Sequence, residues 1–152
     1  MRELLELIKK GVPERAIVSK CAKQGCRVVL KNVPFHHIIL DLDHSFFGLV
    51  DKPHSDFVFI SSGEPNWAVP LELKKGSLDA TEMTRQLQAG SDFVQSRIPA
   101  AHQLRFRPIG AYGGHLHKRE RDQLRKARVS FRKKKYEIKL IRCGTPLCTA
   151  LS

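Results

Sequence analysis

Two stretches decide the fold: Ser55-Asp56-Phe57-Val58-Phe59-Ile60 and Val69-Pro70-Leu71-Glu72-Leu73-Lys74-Lys75-Gly76. Each carries an apolar, β-rich run of strand length, and the link over residues 61–66 holds a Gly and a Pro suited to a turn. Strands are therefore expected over residues 56–60 and 67–74. A helix should follow, because Asp79-Ala80-Thr81-Glu82 has capping-box spacing with Asp79 as N-cap. Residues two apart in a strand share a face, so Glu72 and Lys74 should be neighbours about 6.5–7 Å apart, with Leu73 on the opposite face. If the two strands pair antiparallel, Asp56 comes beside them. Two carboxylates and an ammonium on one platform have a chemical use. One or two carboxylates hold Mg²⁺ at a phosphate, and the metal activates water while the ammonium stabilises developing negative charge.

Outward from this centre, Leu4, Leu7 and Ile8 mark a short amphipathic helix over residues 1–10, stopped by Gly11. Pro13 is placed to start a second helix running to about Gln24-Gly25. Strands are expected over residues 27–30 and 37–42. The capped helix should bury Ala80, Met83, Leu87 and Val94, with Gly90 weakening its far end and Pro99 closing it. Beyond it come a strand over 104–112, a charged helix over 118–127 and a hairpin from 129–131 to 136–142 with a lysine-rich connection. The last ten residues should be loosely held. The order of elements predicts a mixed α/β (α+β) domain with a mixed sheet. It spans 1–152 as one unit, with 1–112 as core and 113–152 as a basic extension.

The spacing Asp56-x15-Glu72-Leu73-Lys74 resembles the PD-(D/E)XK nuclease superfamily, the restriction-endonuclease-like fold. Ser55 stands where that motif carries Pro, although Pro53 lies close by. The resemblance covers roughly residues 1–112. It implies a helix, three antiparallel strands, a crossing helix and a further strand. It also implies that Asp56, Glu72 and the backbone carbonyl of Leu73 ligate Mg²⁺ or Mn²⁺, and that Lys74 is the catalytic lysine. Family members often add a first-helix glutamate and a crossing-helix glutamine. Glu6 and Gln86 are the candidates here, with Glu3, Glu14 and Gln88 as rivals. The implied activity is Mg²⁺-dependent hydrolysis of DNA phosphodiester bonds. The alternative is a nucleic-acid-binding module of the same fold without activity.

Charge agrees with a polyanionic partner. The chain has 152 residues, 27 Lys+Arg and 15 Asp+Glu, for a net charge of +12. Residues 1–101 hold 13 basic and 12 acidic side chains, whereas residues 102–142 hold 14 and 3, a balance of +11. A concentrated positive field favours nucleic acid. Lys118, Arg119, Arg121, Arg125, Lys126, Arg128, Arg132, Lys133, Lys134 and Lys135 are the expected phosphate contacts. Tyr112, Phe131 and Tyr136 are too few nearby aromatics for a single-strand stacking platform, which favours backbone-led binding of DNA over RNA. So small a chain leaves little room for a separate specificity domain, which favours recognition of DNA structure or of a partner over reading of a long base sequence; a homodimer or a place in a larger complex is the expected assembly.

Three further features need weighing. Ile38-Ile39-Leu40-Asp41-Leu42-Asp43 resembles the D-x-D opening of haloacid-dehalogenase-type phosphatases, with Asp41 as nucleophile and Asp43 as acid/base. No later acidic pair follows an apolar strand, so the expectation is a strand ending in a turn, outside the Asp56/Glu72 platform. The four cysteines fall as Cys21-x4-Cys26 and Cys143-x4-Cys148. They allow a tetrahedral Zn²⁺ site or two local bridges. Their spacing departs from C-x2-C, however, and four small buried thiols in a reducing, cytoplasmic setting are expected. His115-x-His117 beside the basic helix suits phosphate contact or exposure rather than metal. No stretch reaches the ~20 apolar residues of a membrane span, and the N-terminus lacks the pattern of a secretory signal.

Overall fold

The two strands around Asp56 and Glu72 form as expected and sit at the centre of the sheet. In the computed structural model, which describes residues 3–151, α1 covers Glu3–Lys10. Met1 and Arg2 of the expected first helix lie outside the described residues. Helix α1 buries Leu4, Leu5 and Ile8, while Leu7 is 44% exposed. The expected second helix is not formed. A single 3-10 turn at Glu14–Ala16 leads to β1 (Ile17–Val18), then to a small hairpin of β2 (Cys21–Lys23) and β3 (Cys26–Val28). The reason is local: Ile17 and Val18 are β-branched, and Gln24-Gly25 takes φ of 48° and 84°, the two-residue turn that antiparallel strands favour.

The main sheet follows with β4 (His37–Asp41), β5 (Phe57–Ser61) and β6 (Trp67–Lys74). Helix α2 (Ala80–Arg97) starts at Asp79, whose carboxylate accepts from the Glu82 N–H at 2.9 Å. The strand expected over 104–112 is broken at Arg107-Pro108 into β7 (Arg105–Phe106) and β8 (Ile109–Tyr112). Helix α3 (Lys118–Lys126) comes next, then β9 (Arg128–Phe131), β10 (Lys134–Glu137) and β11 (Lys139–Arg142). The hairpin is β9–β10, turning at Arg132 and Lys133 with φ of 50° and 67°. Strand β11 leaves it and runs parallel to β8. The sheet order is β1-β4-β5-β6-β8-β11, with β7 also beside β6. Pairing is antiparallel through β6 and parallel beyond it. Among the described residues this is a mixed α/β architecture with three α-helices and a mixed sheet.

Alternation along β5 and β6 gives the sheet two buried faces. Val58, Ile60 and Ala68 join the core that contains α1, α2 and α3 residues. Phe57, Phe59, Val69, Leu71 and Leu73 join a second core with Ile109, Ile141 and the β2–β3 hairpin. Gly90 is no weak point. It lies where α2 meets the sheet, and a Cβ there would come within 2.7 Å of Pro70 Cβ and closer still to Ser55.

Two expectations about the termini are corrected. Cys26 and Cys143, 117 residues apart, form a disulfide, while Cys21 and Cys148 are free. The pairing joins the two ends of the chain, so neither local bridges nor a four-thiolate Zn²⁺ site is present. The C-terminal segment is also tied down. Leu147 N–H donates to Val29 O, Val29 N–H donates to Thr145 O, and Leu147 and Ala150 are fully buried. The segment after residue 112 thus supplies a strand of the main sheet and a covalent link. Among the described residues, no helix is long and apolar enough to cross a membrane.

Candidate active site

Strand register sets the site. Phe57 pairs with Leu71, so Asp56 and Glu72 fall opposite one another one step further along. Glu72 shares the helical side of the sheet with Lys74, Leu73 points to the other core as expected, and Asp56 meets Glu72 at the entry to β5. Asp56 and Glu72 are 3% and 4% exposed, unusual for two carboxylates not paired to a cation each. The backbone N–H of Asp56 donates to Glu72 Oε1 at 3.0 Å, and Asp56 Oδ2 accepts from the Leu73 N–H at 2.8 Å. Burial, and then the Asp56 charge beside it, pushes the Glu72 carboxyl well above the usual carboxylate range.

Lys23 completes the arrangement, and sequence reading missed it. Its ammonium hydrogen-bonds Asp56 Oδ1 and lies 2.9 Å from Asp43 Oδ2. Asp43 Oδ1 in turn meets His54 Nε2 at 2.6 Å, and His54 Nδ1 donates to the Lys52 carbonyl at 2.7 Å. Burial opposes charge on Lys23 and on His54. The carboxylates outweigh it in both cases, and both pKa values rise. Burial likewise opposes charge on Asp43, but its bonds to His54 and Lys23 outweigh this and lower its pKa. Asp43 was expected outside the platform; it is one ammonium away from Asp56. Asp41 has a different task, accepting from the Asp43 N–H at 3.0 Å, as a strand-ending turn should.

The helical candidates separate. Glu6 is exposed and shares no hydrogen bond or ion pair with Asp56 or Glu72 among the described residues. Gln88 is occupied in packing: its amide donates to Ser130 O at 3.0 Å and accepts from Ser130 N–H at 2.8 Å. Gln86 lies one turn before Gly90, on the helix that covers Ser55, and its buried Oε1 has no hydrogen-bond partner. It remains the glutamine able to take a ligand. Among the described residues no three His, Cys, Asp or Glu side chains are grouped to hold a metal by themselves. A hard cation here would rest on Asp56, Glu72, a backbone carbonyl such as that of Leu73, and waters, which is a donor set Mg²⁺ accepts.

Most of the basic residues from the C-terminal third are exposed, namely Lys118, Arg119, Arg121, Arg125, Lys126, Arg128 and Lys133 to Lys135. Of the expected phosphate contacts, Arg132 and Arg128 are tied to backbone carbonyls of the fold. Arg132 donates to the Pro99 and His102 carbonyls, and Arg128 donates to the Arg125 and Ala127 carbonyls at 2.8 Å. A groove between the 47–53 loop, α2 and the end of α3 gathers Lys52, Arg85, Arg97, Lys126 and Arg128 against a single Asp92. Its rim at Lys52-Pro53 runs directly into His54. Lys52, Arg85 and Arg97 come from the part of the chain with balanced charge, so composition could not single them out. The chain matches no known family model, no curated protein and no solved structure, and the reading of the site rests on its own geometry.

Proposed function

We propose that the chain is a Mg²⁺-dependent nuclease of the PD-(D/E)XK type that hydrolyses DNA phosphodiester bonds. The observation that carries this reading is the buried Asp56–Glu72 pair on adjacent strands, with Lys74 on the face of Glu72. The succession α1, antiparallel β4–β5–β6, α2 and a strand parallel to β6 agrees with the restriction-endonuclease-like core. Asp56 and Glu72 would hold Mg²⁺ with the Leu73 carbonyl. When bound, the ion supplies a Lewis acid for the phosphate and a lowered pKa for water. The raised Glu72 pKa opposes that binding, and the charge of the ion offsets it. Lys74 places an ammonium beside the negative charge that develops on the phosphate. The groove with Lys52, Arg85 and Lys126 holds the phosphate backbone without reading bases.

One observation favours the alternative of a DNA-binding module without activity: Lys23 already neutralises Asp56 and Asp43. The proposed location is the cytoplasm. The test is conversion of supercoiled DNA to nicked and linear forms in Mg²⁺, with a chelator control. Cleavage by the wild type and its loss in Glu72→Gln are expected. Cleavage that persists in chelator, or in Glu72→Gln, contradicts the proposal.

A further inference from the structure

The Lys23 ammonium touches one oxygen of Asp56 and one of Asp43. An ammonium that bridges two carboxylate oxygens marks a place where a cation is held between them, and a divalent ion is the alternative occupant of such a place. Asp56 has its second oxygen on the Leu73 N–H and lies beside Glu72. Asp43 has its second oxygen on His54. The cluster thus offers two cation positions that share Asp56, one toward Glu72 and one toward Asp43. Lys23 fills the second.

Its backbone is held from several directions. Lys23 pairs with Cys26 across the β2–β3 ladder. Cys26 is bonded to Cys143, which directly follows β11 of the main sheet. The turn residue Gly25 packs on the Lys75 side chain, where a Cβ would lie 3.2 Å from Cδ. A backbone anchored this firmly adds no further backbone ordering to the cost of fixing the side chain. Nothing in the resemblance calls for a lysine from this position.

We propose that Lys23 is a resident cation that takes the place of a second divalent ion, so that the site binds one divalent cation rather than two. The inference rests on the nuclease reading, because the first position is the one assigned there to Mg²⁺. Lys23 then acts as a positioning residue: it holds Asp56 and Asp43 in place and sets the metal count. Replacing it with a neutral side chain leaves Asp43 and Asp56 facing one another and opens the second position.

The test is Mn²⁺ binding by calorimetry on the full chain, with Mn²⁺ electron paramagnetic resonance to detect coupling between adjacent ions. The wild type should bind one Mn²⁺ with an uncoupled signal. Lys23→Met should bind two, with a coupled signal, and Lys23→Met combined with Asp43→Asn should return to one. Two ions in the wild type, or one in Lys23→Met, overturns the proposal. If no variant binds Mn²⁺, the nuclease reading falls and this inference with it. One ion in both the wild type and Lys23→Met removes the inference alone. Circular dichroism checks folding. Lys23→Gln, which keeps a hydrogen-bonding end without charge, carries the same expectation of two ions if Lys23→Met does not fold.

Discussion

Asp56 and Glu72 are bonded through the backbone of one and the side chain of the other: the Asp56 N–H meets Glu72 Oε1 at 3.0 Å. Glu72 is thereby held beside a carboxylate in a buried setting, and its pKa is raised by burial first and by Asp56 second. The folded chain keeps a proton that the unfolded chain releases at the ordinary Glu pKa. The contribution of Glu72 to the stability of the metal-free protein is therefore fully present below that value and is lost as pH rises toward the raised one. One such proton contributes a slope of at most about 1.4 kcal/mol per pH unit. Thermal melts in chelator from about pH 5 to about pH 8 should show the wild type losing stability relative to Glu72→Gln, which mimics the protonated form. Parallel curves would show that Glu72 ionises freely.

Gly90→Ala tests how α2 lies on the sheet. Alanine favours a helix interior over glycine by about 1 kcal/mol. Here the added Cβ would lie 2.7 Å from Pro70 Cβ and press on Ser55, both close to the backbone of strands that cannot yield cheaply. Overpacking of this kind costs about 1–3 kcal/mol, and it outweighs the propensity gain. Denaturant melts should place the variant below the wild type. A more stable variant would mean that α2 stands further from β5 and β6.

Reduction of Cys26–Cys143 should lower stability by about 2–4 kcal/mol, because the bridge closes a long loop in the unfolded chain. Melting of Cys143→Ser, and of the wild type with and without a thiol reductant, measures it. Equal stability in all three would show that the bridge carries no structural weight.

The groove predicts a salt dependence. Replacing Lys52, Arg85 and Lys126 with Gln should weaken binding to unrelated duplexes alike. It should also reduce the slope of log K against log[salt] by about 0.9 for each lost phosphate contact. Anisotropy across a salt series reads both. An unchanged slope would move the DNA to another face of the molecule.

What was legible in the sequence was what local chemistry determines. The strand from Trp67 to Lys74 and the Asp79 cap were readable because alternation and capping act over a few residues. So was the shared face of Glu72 and Lys74. Lys23 was not, because a helix was expected where Gln24-Gly25 turns a hairpin; only that dipeptide at positive φ signals it. The Cys26–Cys143 pairing was hidden for another reason. It depends on β11 leaving the β9–β10 hairpin to lie beside β8, a long-range choice with no local signature. The approach of Asp43 to Asp56 follows from the β4–β5 register, which pairs Asp41 with Phe57 and sets the Leu42 N–H on the Asp56 carbonyl, and no local pattern fixes that register.

The most direct test of the account is single-turnover cleavage with DNA at saturating protein, comparing the wild type with Lys74→Ala. Lys74 shares the face of Glu72 and lies outside the groove that holds the backbone. DNA affinity should therefore be unchanged, while Mg²⁺-dependent cleavage falls by about 10²–10³-fold, the cost of removing one preorganised charge at a reacting phosphate. Cleavage by Lys74→Ala at the wild-type rate, or a wild type that binds DNA and never cuts it in Mg²⁺ or Mn²⁺, would contradict the account.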